Sequence, residues 1–181
     1  WEFVSQDTDL AYLLIGELLK ETGEANGGDS TVYTIEFTKD CVGADTTCVD
    51  DEFVRSVDWS CDDTHGTQIH HFALADGTDQ TFDPPLGITD AKMKKGDYVE
   101  TDVDGTTWRS TFISIESCPV QWNVDWDECI RLEVDDGVGN LTAGSPISGI
   151  YWVITGFNVV AMELPGETDR WELLKHHYTP D

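Results

Sequence analysis

The sequence predicts an α+β protein, in which one curved, half-barrel-like antiparallel β-sheet of about nine strands packs on a single N-terminal helix. Three observations predict it. Apolar residues recur at three- and four-residue spacing only near the start of the chain, and beyond residue 30 the period changes to two. Turn signals then fall every eight to fifteen residues with no helical stretch between them, so the long crossovers that parallel strands require are not expected.

The helix is expected over 9–22, where Leu10, Leu13, Leu14, Ile15, Leu18 and Leu19 make an apolar stripe. Asp7 or Thr8 can cap its start and Gly23 can end it. A linker loop follows over 24–29. Strands are expected over 32–37, 53–59, 68–74, 99–103, 106–115, 129–134, 150–154, 157–164 and 170–176, the whole series running from 31 to 177. Hairpin turns are signalled at Ala75-Asp76-Gly77-Thr78 and Asp104-Gly105, where glycine accepts the positive φ a tight turn demands. The segment 83–96 is the one place where composition suggests a divide. Pro84 and Pro85 cannot continue a ladder there, and Lys92, Lys94 and Lys95 are half of the chain's six lysines. A single domain over 1–181 is the expectation, because neither half alone holds both the helix and enough strands to cover it.

Thirty-six Asp and Glu against ten Lys and Arg give a formal charge of −26. Nucleic acid is excluded as a natural partner, since binding a polyanion rests on cationic contacts that release counterions. Self-repulsion of this size strains the compact state, so screening salt or divalent cations should stabilise it, as suits a halophilic or ion-rich setting. No run of 18 apolar residues exists, so no transmembrane helix is expected. A chain that opens at Trp1 without an initiator Met is what removal of an export signal would leave.

Five cysteines, none in a C-x-x-C pair, read as disulfides rather than a zinc site, which also points to a periplasmic or extracellular location. Cys118 with Cys129 and Cys41 with Cys48 are the local candidates. Cys61 could take one of those partners instead, and the odd thiol is expected either to be buried and inert or to pair between chains.

No motif names a reaction. Nucleophile elbows, zinc-protease signatures and phosphate-binding loops are absent, so no catalytic residue is assigned and the chain is expected not to be an enzyme. His70-His71 and His176-His177 are adjacent pairs in predicted strands, so one member of each points to each face. Two imidazoles on one face could bind zinc or copper. Glu100-x-Asp102-x-Asp104-Gly105 has the front half of a calcium loop but Thr111 where the bidentate Glu would stand, and reads as a hairpin. Asp135-Asp136-Gly137-Val138-Gly139-Asn140 is the better oxygen-rich loop, with Asp135, Asp136 and Asn140 as possible calcium ligands. No other cofactor is expected.

The stretch from Ser148-Gly149-Ile150-Tyr151-Trp152 through Gly156-Phe157-Asn158 to Glu163, followed by Trp171-Glu172-Leu173, resembles the closing strands of the LolA/LppX-like exported bacterial proteins. Asn158 stands where that group usually has glycine. The resemblance covers about fifty residues and implies an antiparallel half-barrel wrapped around helix, with a concave apolar face that takes acyl chains. The expected function is therefore an exported, non-enzymatic binding or carrier protein for a hydrophobic small molecule. Its groove would be lined by Leu14 and Leu18 from the helix and by Trp152, Phe157 and Trp171 from the sheet. The alternative is a structural, self-assembling envelope or filament protein whose copies are held by cations or cysteines.

Overall fold

A computed structural model describes residues 2–5, 12–28, 30–42, 48–90, 92–120, 128–137, 139, 147–154, 158–164 and 170–175. Twelve strands follow in order: β1 (Glu2–Ser5), β2 (Tyr12–Ala25), β3 (Ser30–Cys41), β4 (Phe53–Asp62), β5 (Gly66–Leu74), β6 (Asp79–Gly87), β7 (Tyr98–Val103), β8 (Thr106–Glu116), β9 (Cys129–Asp135), β10 (Gly149–Ile154), β11 (Asn158–Glu163) and β12 (Arg170–Lys175). All are antiparallel to their partners. Two meanders, β2 to β6 and β7 to β12, are joined through the short β1, giving the order β6-β5-β4-β3-β2-β1-β12-β11-β10-β9-β8-β7. No ladder joins the two ends, so the barrel is not closed by backbone pairing.

The expected helix over 9–22 is corrected: from Tyr12 onward the segment is β2, and 9–11 lie outside the described residues. Leu14 pairs with Lys39 and Leu18 with Ile35 on β3. The spacing suits either structure, because Leu14 and Leu18 are four residues apart, about one helical turn and also two strand repeats, in a ladder unbroken from Tyr12 to Leu18. Leu19 and Thr22 are each skipped in the ladder with β3, and every skipped residue flips the phase of alternation. A strand wins because β3 is twelve residues long and β4 covers only one of its edges. A helix here would leave the other row of amides and carbonyls without a ladder. The one short helical turn among the described residues, Asn26–Gly28, closes the β2–β3 hairpin.

The nine expected strands all form, and three are added: β1, β2 and β6. Strand β6 contains Pro84 and Pro85, which were expected to end a ladder. It tolerates them because it is a sheet edge and because 82–85 are skipped: Thr81 pairs with His71, then Leu86 with Ile69. The Asp104-Gly105 turn has φ of 51° and 82°, two positive values in succession as a two-residue hairpin prefers.

Apolar side chains of both meanders meet in the core. One cluster joins Trp152, Val160, Ala161, Met162 and Cys129 with Phe37 and Val54; the other joins Phe72, Phe82 and Leu86 with Val103, Ile147 and Trp108. Disulfides Cys41–Cys48 and Cys118–Cys129 both form. Cys61 is a free thiol and is exposed, so burial of the odd cysteine is not observed.

Candidate functional site

On β4 the residues Arg55, Val57 and Trp59 share one phase of the strand, so an arginine occupies a position that alternation assigns to apolar residues. The structure buries it, leaving 7% exposed. Arg55 lies opposite Phe37 in the ladder, its guanidinium 4.9 Å from that ring's centroid. Its Nη2 is 3.0 Å from the sulfur of Met162, which belongs to the other meander. Tyr151 is the ladder partner of Met162 and donates its hydroxyl to the Ile147 carbonyl at 2.9 Å. Burial pushes the Tyr151 phenol up to about 12, against the opposing pull of the Arg55 charge. The guanidinium thus lies between the two meanders with an aromatic ring, a thioether and a phenol among its neighbours. A guanidinium in such surroundings favours a carboxylate or another planar anion, since desolvation strengthens the attraction and the fork of donors matches two oxygens.

Of the expected groove residues, Trp152 is the one whose side-chain surroundings are described. Trp152 is 5% exposed and packs in the core, its ladder partners being Ala161 and Arg131. Its indole donates to Glu116 Oε1 at 2.8 Å, and the guanidinium carbons of Arg170 and Arg131 lie 5.5 and 6.0 Å from its ring. Ser114 and then Trp152 hold the Glu116 carboxyl below its ordinary range by hydrogen bonding. By backbone register Trp171 pairs with Met162, one position away from the Trp152 row. Leu14 and Leu18 are placed on β2 by their ladder alone. Phe157 lies outside the described residues.

Asp135 is 4% exposed, and its Oδ1 accepts from the amides of Gly137 and Gly139 at 2.6 and 3.1 Å. These bonds shape the loop that the sequence marks for calcium. Asp136 lines an open groove of about 570 Å³ with Glu100, Asp102 and Thr107. Glu100 there is bound twice by Arg109, and Asp102 accepts from Thr107. Asn140 lies outside the described residues, among which no group of three or more His, Cys, Asp or Glu side chains could hold a metal.

His176 and His177 also lie outside the described residues. His71 bridges Asp58 and Asp79, at 3.6 and 3.1 Å. His70 is skipped in the ladders to both β4 and β6, and its Nε2 lies 2.8 Å from the hydroxyl of the fully buried Ser60. Burial lowers the His70 pKa from 6.5, with the Asp58 charge opposing. The folded chain therefore binds this proton less readily than the unfolded chain. Its contribution to stability is full above about 6.5 and is lost as pH falls below that value toward the folded pKa. Urea midpoints are expected to drop between pH 7 and pH 5, and His70→Gln should flatten that slope; an unchanged slope would assign the effect elsewhere. Asp62 does not interfere, because hydrogen bonds from Ser30 and then the His65 amide hold its carboxyl far below the carboxylate range.

Arg55 was not among the residues singled out in the sequence. Its signal was there: a lone cation in the apolar phase of Phe53-Val54-Arg55-Ser56-Val57. Searches of family models, curated proteins and solved structures return no match to this chain.

Proposed function

We propose that this chain is an exported, non-enzymatic binding protein that carries a hydrophobic anion, an acyl chain ending in a carboxylate, between its two meanders. The observation that carries the reading is the Arg55 guanidinium held inside the apolar interior against Phe37 and Met162. An acyl tail gains from apolar burial at about 25 cal/mol per Å², while the guanidinium supplies orientation. The two disulfides are compatible with export, and no helix among the described residues is long and apolar enough to cross a membrane. The acyl ligand is the one implied by the LolA/LppX-like resemblance, and in this reading it lies between the two meanders rather than beneath a helix.

Calorimetric titration of the delipidated protein with oleate and with oleyl alcohol tests the reading. Oleate should bind more tightly, and the volume-conserving Arg55→Met should weaken oleate about 10- to 100-fold while sparing the alcohol, because a charge-assisted hydrogen bond is worth about 1.5–3 kcal/mol. No heat with either ligand would remove the carrier function. The self-assembly reading is kept by one observation, the exposed thiol of Cys61. Non-reducing mass measurement showing only monomer would dismiss it.

A further inference from the structure

We propose that the seam between β6 and β7 is the portal through which the acyl ligand passes, an inference that rests on the carrier reading above. Every other neighbouring pair in the twelve-strand order is held by a backbone ladder, whereas these two end strands are not. They nevertheless lie against each other. The Gly87 amide donates to Thr101 Oγ1 at 3.0 Å, and beside the seam Ser110 Oγ of β8 donates to the carbonyl of Ile88, just after β6, at 2.6 Å. Val99 packs so closely on Gly87 that a Cβ there would stand 2.5 Å from its Cγ1.

Directly behind the seam is apolar surface contributed from both sides, Phe82 and Leu86 from β6 and Val103 from β7. Parting the strands breaks apolar contacts that an acyl tail can replace and two hydrogen bonds, those of the Gly87 amide and the Ile88 carbonyl, rather than a whole ladder. Parting any laddered pair would strand a row of buried backbone groups at about 1–3 kcal/mol each. The seam is therefore the place where the sheet opens most cheaply.

The mouth of the seam carries both charges beside apolar side chains. The segment after β6 carries exposed Lys92, Lys94 and Lys95, half of the lysines in a chain of net charge −26. An open groove of about 650 Å³ is lined there by Lys92, Met93, Tyr98 and Val99 together with the carboxylates of Asp90, Asp97 and Glu100. Val99 thus both seals the seam and faces the groove. An acyl tail arriving at this end meets methionine, tyrosine and valine.

The Gly87 and Val99 Cβ positions are 3.6 Å apart, within the roughly 3.5–4.5 Å range a disulfide spans. Gly87→Cys with Val99→Cys, made in a Cys61→Ser background and oxidised without reductant, staples the seam; mass measurement verifies the link. Stopped-flow uptake of oleate should slow at least tenfold relative to Val99→Cys alone in that background. Val99→Ala, which removes the methyls packed on Gly87, should speed uptake several-fold and serves if the double variant does not fold. Uptake unchanged by both changes overturns the portal and leaves the carrier reading standing. Absence of oleate binding to the unlinked protein overturns both.

Discussion

Trp152→Ala is expected to destabilise the fold by about 3–5 kcal/mol, the range for truncating a large buried aromatic. The indole is 5% exposed and packs with Cys129, Val160, Ala161 and Met162. Its removal also takes the hydrogen bond from Glu116 and the ring from beneath Arg131 and Arg170. Urea unfolding followed by tryptophan fluorescence and far-UV circular dichroism measures the loss. The outcome separates two roles for this residue. A core tryptophan costs stability whether or not ligand is present, whereas a groove tryptophan would cost under about 1 kcal/mol of stability and act chiefly on oleate affinity.

Gly66→Val is expected to be at least as damaging, through backbone rather than burial. Gly66 opens β5 with φ of 71°, a region that costs a β-branched residue about 1–3 kcal/mol. A Cβ would also stand 2.2 Å from the carbonyl oxygen of Thr89, a distance the present backbone cannot accommodate. The crowding exists because the segment after β6 is tied to the start of β5: Ile88 and Thr89 donate amides to the Thr67 carbonyl, and the Thr67 amide donates to Thr89 Oγ1. Either β5 or this strap must move. Gly77→Val is the control, since its φ is 90° with nothing within 4 Å of the added carbon, so it reports the dihedral cost alone. Equal losses at the two positions would show that the Thr89 approach carries no cost. Loss of this strap would also loosen the β6–β7 seam, which hangs on the neighbouring Ile88 carbonyl.

Legibility followed locality. Nine strands could be read because alternation and glycine turns are set by neighbours in sequence, as at Asp104-Gly105 between β7 and β8. Both disulfides were legible for the same reason, their separations being 7 and 11 residues. Strand β2 was not, because residues four apart such as Leu14 and Leu18 fit a helical turn and a strand's alternation alike, and only the pairing with β3 decides between them. Nor was β6, whose prolines are acceptable only at an edge, and which strand is the edge follows from the order of all twelve.

The candidate site shows the same division. The sequence by itself determined a −26 polyanion of antiparallel strands with local disulfides and no reaction motif, because charge, alternation and short loops are properties of adjacent residues. Only the tertiary structure decided that residues 107 positions apart, Arg55 and Met162, share one interior, and that the two ends of the sheet meet without a ladder. Both are long-range pairings, selected by which sheet faces can bury each other's apolar surface.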